Sequence, residues 1–225
     1  METPDFKAIA GQLRHPHGEA GQETAIRMAE NNAGMIRSCI DLLPLKPGDR
    51  VLEIGPGGAA HLPYFVDKAK EVQYTGADIS ATMIQMAMEG NKALIDEGIA
   101  IFTQLIVQDG YAPLPFETGS FNSIFTVNTI YFWDNAPAQA LEIFRVLRPG
   151  GVFLTAFATE AFMQGLPFTQ YNFNLYTPEK ARALLEGAGF IFENMKEERE
   201  TVYSNTGPLM ERDFIVMAVS KPLAQ

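Results

Sequence analysis

Glu53, Gly55, Pro56 and Gly57 lie in VLEIGPGGA, residues 51–59, where a hydrophobic run ends in an acid and a glycine-rich turn follows. Asp78 closes a second such run, EVQYTGADIS, and Asp109-Gly110 follows a third, IAIFTQLIVQD. These residue types suit a nucleotide-like ligand. Glycine permits a tight turn and lets the backbone approach a ligand with no side chain between. A carboxylate at Asp78 can accept both hydroxyls of a ribose, and one at Asp109 can accept the exocyclic amino group of adenine.

Gly55, Gly57 and Ala60 satisfy the dinucleotide pattern G-x-G-x-x-G/A. Glu53, Gly55 and Gly57 also satisfy most of the E-x-G-x-G pattern of S-adenosylmethionine sites. Glu53 separates the two readings. A carboxylate beside the turn is no help to a pyrophosphate, but it favours a cationic sulfonium and amino group. Asp78 supports either ligand, because both carry a ribose.

On the acceptor side, QLRHPHGEAG, residues 12–21, offers His15 and His17 as a base or polar contact. Residues 159–176 are aromatic, with Phe162, Phe168, Tyr171, Phe173 and Tyr176, and Tyr131, Phe132 and Trp133 precede them. Such a connection can line a pocket for a flat or apolar molecule. Tyr171 joins the two histidines as a candidate catalytic group, and none of the three is singled out by pattern. His61 is expected to be exposed or to start a helix rather than to act in catalysis. Cys39, the one cysteine, sits within a helix and is expected to be inert packing.

The elements that must hold these residues alternate. DRVLEI is a strand, Ala59–Lys70 a helix, and EVQYTGADIS a strand. A helix capped by Ser80 then runs to about Glu97. Residues 99–109 and 121–132 are strands, and a helix covers about 137–147. Pro149-Gly150-Gly151 leads into GVFLTAFA. This order predicts a parallel sheet with right-handed crossovers and helices on both faces. Thr177 caps a helix to about Gly187, and strands near 190–198 and 213–220 form an antiparallel pair. A long helix over residues 22–43 precedes the sheet. In such sheets ligands sit beyond the carboxyl ends of the strands, where the residues above fall.

Composition narrows the partners. The net charge is −10, with 17 Lys and Arg scattered among 27 acids. A polynucleotide or an anionic membrane surface calls for a basic stripe, so neither is expected. A single cysteine allows no intramolecular disulfide and no multi-cysteine metal site, and no metal is expected. No basic-then-apolar leader and no long apolar run stand in the chain, so a cytoplasmic location is the expectation.

VLEIGPGGA, GADIS, VQDGYAPLPFETGSF and FRVLRPGGVF, in that order and spacing, resemble the class I S-adenosylmethionine-dependent methyltransferases. Within them the likeness is to the type 11, quinone-biosynthesis-like branch that acts on small molecules. It covers residues 50–158 well and both ends more weakly. The resemblance implies an α/β, three-layer, Rossmann-like sheet of seven strands, mostly parallel with an antiparallel last strand, plus an N-terminal helical cap. Residues 1–225 would be one such domain, with 1–47 as the cap and 159–176 as a substrate-side lid.

By the same resemblance Glu53, Gly55, Pro56 and Gly57 line the methionine part of S-adenosyl-L-methionine, and S-adenosyl-L-homocysteine is the product. Asp78 holds the ribose and Ile79 packs on the adenine. Asp109 and Gly110 flank the adenine. Asn128 and Thr129 lie near the methionine carboxylate or the methyl group. Two features depart from the family: Ala59 stands where a third glycine is common, predicting an altered helix entry. Ser120-Phe121-Asn122 stands for the usual S-F-D. The implied reaction is in-line methyl transfer to a small apolar or aromatic acceptor. An NAD(P)-dependent oxidoreductase and a non-catalytic protein binding the adenosyl compounds are the alternatives. No [DN]-P-P-[YFW] follows the fourth strand, which argues against amino methylation of DNA bases.

Overall fold

Five hydrophobic runs become the parallel strands β1 (Arg50–Ile54), β2 (Gln73–Asp78), β3 (Ala100–Gln104), β4 (Phe121–Val127) and β5 (Leu147–Ala158). With β6 (Ile191–Tyr203) and β7 (Leu209–Ser220) they form a seven-stranded sheet, ordered β3-β2-β1-β4-β5-β7-β6. β7 runs antiparallel to both neighbours and lies between β5 and β6, so the antiparallel pair completes one edge. The computed structural model describes residues 4–68, 70–203 and 208–223.

Period-two alternation divides the core into two layers. Leu52, Ile124, Phe153, Phe157, Ile215 and Met217 face one side, where α6 (Ala136–Val146) and α8 (Pro178–Gly187) cover them. Val51, Phe125, Leu154, Ala156, Phe214 and Val216 face the other, under α2 (Gly18–Asp41) and α3 (Leu62–Val66). Side chains such as Phe125 and Phe153 are wholly buried, and each such burial stabilises by about 2–3 kcal/mol. Cys39 lies in this second layer, and burial, reinforced by Glu53, pushes its thiol well above the usual range.

Several elements are shorter than their sequence patterns predict, and each has a local cause. The helix expected from Ala59 is reduced to α3. Ala59 itself adopts φ +49 at the end of the glycine turn, so helical geometry begins only after His61. The helix after Ser80 is split into α4 (Ala81–Gly90) and α5 (Lys92–Asp96). Asn91 is buried at the break, its amide donating to Ala59 O at 3.2 Å and Ala87 O at 2.9 Å. Strand β3 stops at Gln104, and β4 stops at Val127 because Asn128 takes φ +57. Residues Ile130–Phe132 form a 3₁₀ turn rather than more strand.

The predicted caps form. Ser80 Oγ accepts from Met83 N–H at 3.2 Å, and Thr177 Oγ1 from Lys180 N–H at 3.3 Å. An additional helix, α1 (Phe6–Arg14), precedes the long one and is capped by Asp5 Oδ1. Asn122, in place of the usual acid, pins the far end of the sheet. It accepts from Arg50 N–H at 3.0 Å and donates to Asp49 at 2.6 Å. α7 (Glu160–Gln164) and a 3₁₀ turn at Pro167–Gln170 lie within the aromatic segment.

Candidate active site

The carboxyl ends of β1, β2 and β4 open into one cavity of about 600 Å³, within the range of small-molecule sites. Glu53, Gly55, Pro56, Gly57, Asp78, Ile79, Gly110, Asn128 and Thr129 all line it. Leu13, Arg14 and Pro16, with residues of α2, cover its other side. Ser80 Oγ donates to Pro16 O at 2.5 Å, which ties this N-terminal segment to the end of β2.

The glycine turn is held from two sides. Gly55 N–H donates to Ala77 O at 2.8 Å, and Gly57 N–H to Asp78 Oδ2 at 3.2 Å. Gly57 faces open space: a Cβ there would meet only Met83 Sδ at 4.0 Å. Asp78 is 7% exposed, and its Oδ1 accepts from Ser80 N–H at 2.9 Å. Each oxygen thus has one backbone donor and keeps a lone pair for a ligand hydroxyl. Burial, with some help from the Glu53 charge, raises its pKa from 3.8 to about 6, against the pull of the Ser80 and Gly57 N–H groups.

Glu53 is 1% exposed and does not stand alone. Its Oε2 accepts from His61 Nε2 at 2.7 Å and from the Tyr74 hydroxyl. Burial first, then Glu53, raises the Tyr74 pKa, so that hydroxyl remains a donor. One carboxylate oxygen is therefore committed to the protein. His61 sits at a helix start as expected, but it is not exposed: its side chain is packed against Glu53 with 9% of its surface free. Sequence reasoning missed this pair, because no local pattern links residues 53, 61 and 74.

Other expected residues fall elsewhere. Asp109 is exposed, with φ +49, and does not line the cavity. That left-handed turn carries it outward while the next residue, Gly110, faces in; Gly110 O accepts from Asn135 N–H at 2.7 Å. His15 and His17 are exposed and outside the cavity. His17 is turned onto its own segment, with Nδ1 3.0 Å from His15 O. Tyr171 is half-buried and lines neither this cavity nor its neighbour, whereas Phe168 and Phe173 line the neighbour. Tyr64 also borders the main cavity, and its hydroxyl and Lys68 Nζ both bind Asp41.

That neighbour is a smaller chamber of about 120 Å³. It adjoins the main cavity, with Leu13, Met28, Asn32, Asn128 and Phe132 lining both. Phe162, Met163, Leu166, Phe168 and Phe173 form its apolar wall. Arg212 also borders it but is engaged by Glu200 Oε1 at 2.7 Å and Asn31 O at 2.6 Å. Asn32 Oδ1 accepts from Arg212 at 3.1 Å and from Asn128 Nδ2 at 3.0 Å. Tyr131 OH sits 3.1 Å from Asn128 Oδ1 and accepts from Ala158 N–H. Asn128 is held at the junction by both.

The arrangement fits an adenosyl-sulfur compound: two buried acids beside an open glycine turn, and at the far end a buried amide nitrogen, Gln139 Nε2, without a partner among the described residues. Among the described residues, no cluster of His, Cys, Asp and Glu is placed to hold a metal, and no helix is long and apolar enough to cross a membrane.

Comparison with known proteins agrees with this geometry. Residues 52–155 match the family described as a methyltransferase domain. A phosphoethanolamine N-methyltransferase of Triticum aestivum is 27% identical over 159 residues, 67% of this chain and 30% of that protein. A fatty-acid O-methyltransferase of Mycolicibacterium smegmatis is 31% identical over 107 residues, 48% of this chain and 36% of that protein. The chain thus spans only about a third of the length of either relative. Haemonchus contortus phosphoethanolamine N-methyltransferase 2, solved with phosphomonomethylethanolamine and S-adenosylhomocysteine, shares the fold. Its TM-score is 0.68 at 16% identity, over 98% of this chain and 61% of that one. The match over residues 52–155 marks that stretch as a methyltransferase domain, set in a chain with the fold of the S-adenosylhomocysteine-bound structure.

Proposed function

We propose that this protein transfers a methyl group from S-adenosylmethionine to a small acceptor that is apolar or aromatic where it meets the protein. The observation that carries the reading is the aromatic chamber that adjoins the main cavity at Asn128 and Phe132. The cofactor supplies an activated methyl: its carbon–sulfur bond breaks as the bond to the acceptor nucleophile forms, leaving S-adenosylhomocysteine. The protein's part is to align the partners and keep water out, and alignment alone can contribute roughly 7–11 kcal/mol in ideal cases.

In this reading Asp78 holds the ribose hydroxyls and Ile79 packs on the adenine. The turn of Gly55, Pro56 and Gly57 passes close beneath the methionine part. Glu53, steadied by His61 and Tyr74, offers its free oxygen to the ammonium group. Asn128 and Thr129 stand where methyl donor and acceptor meet. Residues 1–47 act as a cap and 159–176 as a lid; the first segment supplies lining side chains to both chambers and the second to the smaller one, which supports those roles. His15, His17 and Tyr171 are given no part in the chemistry.

The relatives act on unlike molecules by name, a phosphorylated amine in one case and a fatty acid in the other. The chamber's apolar wall, with its arginine already paired, supports the second kind. Incubation with methyl-labelled S-adenosylmethionine and a panel of fatty acids, phenols and phosphoethanolamine tests this. Label is expected in an apolar member of the panel, and Phe173→Ala should raise the KM for it several-fold with a smaller effect on kcat. Transfer to phosphoethanolamine alone would overturn the apolar assignment. Binding of the cofactor with no transfer to any acceptor would favour a non-catalytic role.

A further inference from the structure

Gln139 lies on α6 and is 2% exposed. Its Oε1 accepts from Ala112 N–H at 2.8 Å. A backbone donor on that side fixes the amide's orientation and leaves Nε2 as the free donor. Nε2 is fully buried and has no hydrogen-bond partner among the described residues, which is rare for a buried polar atom. The other such atom, Thr155 Oγ1, belongs to a strand interior and lines none of the cavities. Gln139 does line the main cavity, beside Gly110, Tyr111 and Ala112.

Its place gives the free donor a meaning. β3 lies beyond β2, and the loop after β3 closes the cavity on that side. With the ribose on Asp78, the base extends toward this loop. Asp109, the acid expected to meet the base there, is outside the cavity. The acids that line it are Glu30, Glu53 and Asp78, from α2, β1 and β2, and none belongs to this loop or to α6. Besides the Tyr111 hydroxyl, the polar side chain at the base end is an amide whose free atom can only donate. Adenine has ring nitrogens that can only accept.

We propose that Gln139 Nε2 donates a hydrogen bond to a ring nitrogen of the bound adenine, and that Gln139 thereby determines recognition of the base. This rests on the methyltransferase reading. The site would take an adenosyl compound and disfavour one in which that nitrogen carries a proton or is replaced by CH.

The test is a titration of the wild type, Gln139→Met and Gln139→Glu with S-adenosylhomocysteine and with analogues in which CH replaces N1, N3 or N7. The glutamate variant keeps an acceptor for Ala112 N–H, so it remains informative if the methionine variant is poorly folded. The wild type is expected to bind one analogue about 5- to 10-fold more weakly than the parent compound, the loss of one hydrogen bond. Both variants should bind the parent more weakly and lose that discrimination. Equal analogue ratios in all three proteins, or undiminished binding of the parent by both variants, would overturn the assignment. Failure of the wild type to bind S-adenosylhomocysteine at all would instead overturn the methyltransferase reading beneath it.

Discussion

Gly55→Ala is expected to destabilise the protein by about 3 kcal/mol and to abolish saturable cofactor binding. Two independent costs act at this position. Gly55 adopts φ +73, a conformation that costs a residue with a Cβ about 1–3 kcal/mol. The new Cβ would also lie 2.4 Å from Thr129 Cγ2, and crowding of this kind costs about 1–3 kcal/mol. Thr129 cannot turn away freely. Its Oγ1 lies 2.5 Å from Thr126 Oγ1, which in turn donates to Ile54 O at 2.6 Å. Chemical denaturation measures the loss. The double variant Gly55→Ala/Thr129→Ser removes the clashing methyl and should recover about half of it. A Gly55→Ala protein as stable as the wild type would mean that the turn is not packed as described.

Asp78→Ala is expected to weaken S-adenosylhomocysteine binding by about 2 kcal/mol, roughly 30-fold, for the lost charge-assisted hydrogen bonds. The wild-type affinity should also depend on pH in a definite sense. Burial raises the Asp78 pKa from 3.8 to about 6 in the free protein. Its contribution to stability is therefore complete below about pH 4 and lost as pH rises through 6. Ligand hydroxyls donate to the ionised form, so affinity moves the other way. It should climb with pH through 6 and level off above about 7, by at most tenfold per pH unit. The share carried by Asp78 disappears in Asp78→Ala. Unchanged affinity in Asp78→Ala would remove Asp78 from the site.

What could be read from the chain is what local chemistry dictates. Asp78 followed by Ser80 announces a strand end and a helix cap, and the structure has both. The alternation of apolar runs and capped helices carries the sheet, and the short link between the last two runs carries their antiparallel pairing. The failures are of another kind. Asp109 and Gly110 differ by one residue in which faces the cavity, and only the left-handed turn at 109 decides which. His61 reads as an ordinary helix-start residue until the fold brings it to Glu53. Gln139 carries no signal of its own, because it matters only where Ala112 claims one end of its amide. α1 was legible in principle, with Asp5 before apolar residues at helical spacing. In each miss, a contact between distant residues or a single backbone angle outweighs the local pattern.

Calorimetric titration of the purified wild type with S-adenosylmethionine, S-adenosylhomocysteine, NAD and NADP bears most directly on the central claim. Saturable binding of the two adenosyl-sulfur compounds, with none for the dinucleotides, is the predicted result. Binding of NAD or NADP alone would contradict the assignment of Glu53 and its glycine turn to a sulfonium ligand.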